Sequence, residues 1–188
     1  MGFKIIDNFL SDFDSLRDYC DQVNYDGVTN PADNVFYDGV TLDIPDAVQK
    51  EVIQNLTEVM GRKVTLNSIF MRLSKQFAPY PHQAHTDKLM GNFSLMLYLN
   101  RLEDCEGGTS LVIHKEGLIN STPINDKQFK VWERDVNTPD AWQITDISQM
   151  IPNRACIFDA NLMHRAEPIG GFGDNPKNAR LVLTAFYD

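Results

Sequence analysis

The chain has 188 residues, 43% of them apolar and 23% charged, the composition of an ordinary soluble globular protein with a single core. A formal net charge of -9 argues against a phosphate-backbone partner, which needs clustered Lys and Arg, so no nucleic acid is expected. The three cysteines, Cys20, Cys105 and Cys156, are too scattered for a disulfide framework or a CxxC zinc site, and no run approaches the ~20 apolar residues of a membrane span, so a cytoplasmic protein without membrane contact is expected.

In chain order, 3–9 reads as a short strand. Ser11-Asp12-Phe13-Asp14 resembles a capping box with Ser11 as the cap. Phe13, Leu16, Cys20 and Val23 follow at helical spacing, predicting a first helix over about 12–23. The next twenty residues carry Asn30-Pro31, Asp33-Asn34 and Asp38-Gly39 and read as loop. A second helix starts at Pro45, with Val48, Val52, Leu56 and Met60 as its apolar stripe and Gly61 as its stop.

Beyond Gly61 short apolar runs alternate with Gly, Pro, Asn and Asp. Strands are predicted at 64–74, 93–100, 109–114, 142–147, 155–159, 163–169 and 180–187. Two segments, 116–138 and 170–178, read as long loops. Helices first and many short strands afterwards give an α+β, mainly β fold with one large sandwich or barrel. The expected division is a helical support over 1–62 and a β core over 63–188, together one domain.

Four histidines stand out by their scarcity: His82, His85, His114 and His164. On an extended segment His85 and Asp87, two residues apart, face the same way and can give adjacent ligands to one metal ion. A third ligand from a distant strand would complete a two-histidine, one-carboxylate face, which suits non-haem Fe(II) with open positions. The same tripeptide reads equally as a surface turn, since Pro79, Pro81 and Asp87 all favour turns.

The downstream order is more specific. Phe93 to Asn100 forms an apolar strand ending Tyr98-Leu99-Asn100, followed by Gly107-Gly108-Thr109, the apolar run from Ile151 to Asp159, His164-Arg165-Ala166, and Arg180 opening the last strand. This series, over about 70–187, resembles the 2-oxoglutarate- and Fe(II)-dependent oxygenases, most closely their prolyl-hydroxylase-like branch.

The resemblance implies a double-stranded β-helix (a jelly roll, cupin-like) buttressed by the N-terminal helices. It implies His85, Asp87 and His164 as iron ligands. Arg180 would pair with the far carboxylate of 2-oxoglutarate, with Tyr98 and Thr184 lining the same pocket. Fe(II), 2-oxoglutarate as co-substrate and O2 would serve the reaction, with ascorbate as a reductant. The implied activity is a dioxygenase hydroxylating an unactivated C–H, on a prolyl residue of a peptide or protein. The same chemistry on a free amino acid or small metabolite, and a non-catalytic metal-binding jelly roll, are the alternatives. The net charge favours a cationic substrate through steering alone.

The chain departs from that family in two places. Sixteen residues separate His164 from Arg180, a wide spacing that the Gly170-Gly171-Phe172-Gly173 loop can absorb. Val182 stands where many relatives carry Ser, two residues after the Arg. Arg165 is expected to face away from the site, and His82 to be solvent-exposed or to support the ligands. His114, with no acidic neighbour in sequence, reads as structural or substrate-facing. The cysteines read as packing residues, and the 132–142 region as a cap on the barrel.

Overall fold

Alternation along the strands builds the molecule from two antiparallel sheets. The computed structural model describes residues 2–30, 34–77 and 83–188. Its strands are β1 (Lys4–Ile6), β2 (Val28–Asn30), β3 (Val35–Tyr37), β4 (Val40–Thr41), β5 (Leu66–Ser74), β6 (Phe93–Tyr98), β7 (Gly108–His114), β8 (Trp142–Gln149), β9 (Ala155–Asp159), β10 (His164–Glu167) and β11 (Arg180–Tyr187). Its helices are α1 (Phe13–Cys20), α2 (Asp46–Met60) and α3 (Asp126–Asp135). The larger sheet runs β1-β9-β6-β11-β5-β4, the smaller β10-β7-β8, and β2-β3 form a separate hairpin.

The larger sheet is buried on both faces, and its period of two sorts the residues cleanly. Leu95, Leu97, Leu181, Leu183, Ala185 and Ile157 point outward and pack with Leu16, Cys20, Val52 and Leu56 of the first two helices. Tyr98, Cys156, Phe158 and Val182 alternate with them and pack on the inner face with Leu111 of β7. Helices therefore cover one face, and the second sheet faces the other.

Local chemistry explains the boundaries. The cap of α1 is Asp12, not Ser11: Asp12 Oδ1 accepts from the Ser15 N–H at 3.3 Å, while the Ser11 N–H donates to Glu51. The helix stops at Cys20, three residues short of its apolar pattern. α2 matches its pattern, with Val52 and Leu56 fully buried and Gly61 closing it at φ 64°.

Two expected loops contain regular structure. The stretch after α1 holds β2, β3 and β4, and β4 pairs with β5 through Val40–Arg72 and Thr41–Met71. β1 pairs with β9, so the first 62 residues give strands to the larger sheet as well as helices. The segment 116–138 contains α3, started by a capping box in which Asn125 and Gln128 bond reciprocally. Gly107 (φ 63°) sits where a Cβ would lie 2.1 Å from the Glu167 carbonyl, so β7 can begin against β10 only with glycine there. Among the described residues no helix is long and apolar enough to cross a membrane.

Candidate metal centre

His85 and His164 come from opposite ends of the β region and are laced together through the backbone. The His85 N–H donates to the His164 carbonyl at 3.1 Å, and the His164 N–H returns the bond at 2.9 Å. The Asp87 N–H bonds to the Ala160 carbonyl at 2.9 Å. Behind them Ala84, Val112, Ile119, Trp142 and Met163 form a small apolar cluster, in which Ala84 directly precedes His85 and Met163 directly precedes His164. Trp132 of α3 packs on that cluster and donates its indole N–H to the Ala84 carbonyl.

The ligand-capable atoms of His85, Asp87 and His164 all lie within 4.8 Å of one another. His164 Nε2 is 3.2 Å from Asp87 Oδ2, and His85 Nε2 is 3.6 Å from Asp87 Oδ1. Two ligands at right angles on one ion, each ~2.1 Å away, are ~3 Å apart, so these separations fit a shared metal. Each imidazole turns Nδ1 to a backbone carbonyl, His85 to Gln83 (3.3 Å) and His164 to Leu162 (3.0 Å), leaving Nε2 with its lone pair toward the site. His164 Nε2 is buried and makes no aligned hydrogen bond among the described residues. The Ser94 hydroxyl donates to Asp87 Oδ2 at 2.9 Å and fixes the carboxylate.

The electrostatics are coupled. Burial and the neighbouring His164 push the His85 imidazole down to about 4, with the Arg72 charge acting in the same direction. Burial alone would raise Asp87, but the two imidazoles and the Ser94 hydroxyl outweigh it and hold the carboxyl near 2. Burial alone would lower His164, and the Asp87 carboxylate overrides it, so His164 lies above the usual imidazole range.

A cavity of about 100 Å³ opens from this cluster between the two sheets. The larger sheet lines it with residues from β5, β6 and β11, the smaller with Thr109, His164 and Ala166. Arg180, Val182, Thr184 and Phe186 all reach it from β11, as their alternation predicts. Arg180 is 5% exposed. One of its terminal nitrogens donates to the Gly108 carbonyl at 3.2 Å, with Thr109 Oγ1 at 3.5 Å. Its Nε has no partner, and no carboxylate pairs with it among the described residues. Directly across the register stands Ser74, 2% exposed and also lining the cavity, whose hydroxyl is likewise without a partner. A buried guanidinium and a buried hydroxyl left in this way make a fitting receptor for an acid.

The two other expected pocket residues divide. Tyr98 is fully buried beside the cavity but does not line it: its hydroxyl donates to the Ser148 carbonyl at 2.9 Å and touches Cys156 Sγ. Thr184 does line it, with its hydroxyl 3.3 Å from the Met96 sulfur. Arg165 is paired with Glu167 at 2.7 Å, although it touches the cavity edge. His82 lies outside the described residues. His114 is corrected: it has an acidic partner, Asp135 on α3, at 2.9 Å from Nε2, and its Nδ1 accepts from the Glu116 and Gly117 N–H groups.

Sequence reasoning passed over Ser94, Ser74, Arg72 and Asn100. The first three are strand residues at inward positions, legible once the register is known. Asn100 closes the Tyr98-Leu99-Asn100 run. It is 1% exposed, accepts from the Leu181 N–H and donates to the Ala179 carbonyl, both at 2.8 Å. It thus clamps the backbone on either side of Arg180. The widened loop before Arg180 is also held: Gln76 N–H bonds to Gly173, Arg180 N–H to Phe172, and Phe172 is buried beside Tyr98.

Several solved structures share the fold. AviO1 from Streptomyces viridochromogenes Tue57 superposes with a TM-score of 0.58 at 13% identity, covering 99% of this chain and 89% of that one. The non-haem α-ketoglutarate-dependent epimerase SnoN from nogalamycin biosynthesis gives 0.58 at 12%, covering 100% and 77%. EctD from S. alaskensis, solved with 2-oxoglutarate and 5-hydroxyectoine, gives 0.58 at 14%, covering 100% and 72%. At such identities the likeness is one of fold. No curated protein matches by sequence. The model of the family of unknown function DUF6445 matches residues 3–187, nearly the whole chain, and the protein belongs to that family.

Proposed function

We propose that the protein is an Fe(II)- and 2-oxoglutarate-dependent oxygenase that hydroxylates an unactivated C–H bond. The observation that carries this is one cavity joining a three-ligand metal face to a buried arginine without an acid partner. The two sheets are read as the walls of a double-stranded β-helix, and residues 1–188 as a single oxygenase domain. Structural neighbours named as α-ketoglutarate-dependent or solved with 2-oxoglutarate support the class.

His85, Asp87 and His164 would hold the iron. Bound there, it would supply oxidising power from O2 and the keto acid, with succinate and CO2 as co-products. The chain's own residues orient and exclude. Ser94 fixes the Asp87 carboxylate. Arg180 and Ser74 would hold the far carboxylate of 2-oxoglutarate. Ser74 offers, from the neighbouring strand, the hydroxyl absent at Val182. Thr184 shapes the wall between that end and the metal. Of the two substrate classes the resemblance implies, the small molecule is favoured by the neighbour solved with 5-hydroxyectoine.

Anaerobic addition of Fe(II) and 2-oxoglutarate should produce the weak visible absorption of a chelated keto acid, and His85→Ala should abolish it. Metal binding without that absorption would favour a metal-binding jelly roll, and neither signal would end the oxygenase reading.

A further inference from the structure

The three side chains of the candidate metal centre are held by different parts of the molecule. His164 opens β10, which pairs with β7, and its Nδ1 faces the Leu162 carbonyl. Asp87 is fixed by the Ala160 carbonyl through its backbone and by the Ser94 hydroxyl through its side chain. None of these bonds involves α3.

His85 is held in another way. Its backbone pairs with His164, which sets the spacing of the two residues. Its ring is aimed by Gln83, whose carbonyl faces Nδ1 at 3.3 Å and so leaves Nε2 toward the site. Gln83 and Ala84 in turn hang on one short segment. The Gln83 N–H donates to Asn137 Oδ1 at 3.0 Å and the Ala84 N–H to the Val136 carbonyl at 3.3 Å. The Ala84 carbonyl accepts from the Trp132 indole N–H at 3.1 Å. Both backbone groups of the fully buried Ala84 are thus satisfied by α3 and the residue that follows it. The His85 side chain is also the most exposed of the three, so it has the least packing of its own to keep its ring in place.

α3 is docked mainly from its last turn, since none of its residues is buried. His114 Nδ1 accepts from two backbone N–H groups, so Nε2 carries the hydrogen and donates it to Asp135 Oδ2 at 2.9 Å. The Trp142 indole N–H donates to the Asp135 carbonyl, also at 2.9 Å. A carboxylate at a helix C-terminus opposes the helix dipole, and the buried His114 offsets that cost. The result is a chain of contacts from His114 through α3 to the residues that aim His85.

We infer, resting on the metal-centre reading, that α3 is a strap that aims one ligand: Trp132 and Asn137 are positioning residues that act on the ion through Gln83, Ala84 and the His85 ring, while Asp87 and His164 are set without them. The spacing of the two imidazoles comes from β10, and the aim of one of them comes from α3. A centre built this way keeps two ligands when the strap is weakened and gives up the third.

Mn(II) titrations followed by the EPR signal of the free ion test this. Trp132→Phe keeps an aromatic ring and removes the N–H. It is expected to weaken Mn(II) binding at least about tenfold, the lower end for partners that orient a ligand histidine. In a His85→Ala background the same substitution is expected to change the affinity by less than about twofold, because the ligand it acts through is gone. In pulsed EPR of the Mn(II)-loaded protein, Trp132→Phe should lose or alter the nitrogen coupling that His85→Ala removes, and should leave the His164 coupling as it is. Asn137→Ala, at an exposed position, removes the acceptor for the Gln83 N–H and carries the same expectations if Trp132→Phe does not fold. Unchanged affinity or an unchanged pair of couplings in a folded variant overturns the inference. So does a loss that persists undiminished in His85→Ala, because α3 would then support the fold rather than one ligand. Wild-type protein that binds no Mn(II), or binds it equally after His85→Ala, fails the metal-centre reading itself, whereas two unaltered imidazole couplings in Trp132→Phe fail only this inference.

Discussion

The three candidate ligand side chains divide the proton chemistry unequally. His85 is held near 4, below the ordinary 6.5, so between those values the unfolded chain carries the extra proton and stability falls as pH drops. His164 is shifted upward, so its contribution is complete below 6.5 and is lost as pH rises through its elevated value. The site's contribution to metal-free stability should therefore peak around pH 6.5. The acid arm should be the weaker, because the His85 side chain is 36% exposed and solvent screens it. Urea unfolding of the metal-free protein from pH 4 to 9 checks this. His164→Ala should flatten the alkaline arm and also shrink the acid arm, because it removes the charge that helps depress His85, and a wild-type profile without a maximum would contradict the assignment. Asn100 makes a second residue-scale case. Asn100→Ala leaves a buried N–H and a buried carbonyl unpaired, so unfolding free energy should fall by about 2–4 kcal/mol. It should also weaken 2-oxoglutarate binding more than metal binding, since only Arg180 lies between the two groups it clamps.

At the scale of elements, the position of His164 depends on how β7 and β10 approach each other. Gly107 permits that approach, and Gly107→Ala adds a Cβ 2.1 Å from the Glu167 carbonyl at a positive φ. The variant should lose well over 1 kcal/mol of stability in thermal melts, and lose metal binding with it, because β10 carries His164. Unchanged melting would show that β10 can shift without cost. Which elements were legible follows from the same physics. α2 and β11 bury a full stripe or a whole strand, so period and capping residues identify them almost to the residue. β4 is two residues long and carries no pattern of its own; only its partner β5 defines it. α3 has no fully buried residue, and flanking Gly and Pro give the segment the texture of a loop. Its Asn125–Gln128 capping box was the available signal. The His114–Asp135 pair was hidden with it, since its partners stand 21 residues apart and meet only when that helix docks.

For the whole molecule, the clustering of His85, Asp87 and His164 and the place of Arg180 on the same cavity could be anticipated from their order in the chain, because each sits at a strand end or a turn that the sequence punctuates. The partners on neighbouring strands could not. Ser74 meets Arg180, and Ser94 meets Asp87, only through pairing registers that the sequence does not state. A site assembled across two sheets should stabilise both when filled. Saturating Mn(II) at about a hundred times its dissociation constant should add about 2.7 kcal/mol and raise the melting temperature by roughly 5–10 °C, an effect that Asp87→Ala should remove. The reciprocal backbone bonds between His85 and His164 carry a further consequence. They hold the two imidazoles at their spacing whether or not an ion is present, so the pocket exerts little veto over which ion arrives. Nickel or zinc, which outrank iron in intrinsic affinity for such donors, would seat as readily. Protein passed over a nickel-charged resin would leave the column already carrying nickel, and its first assay would measure the history of the preparation rather than the chemistry of the chain.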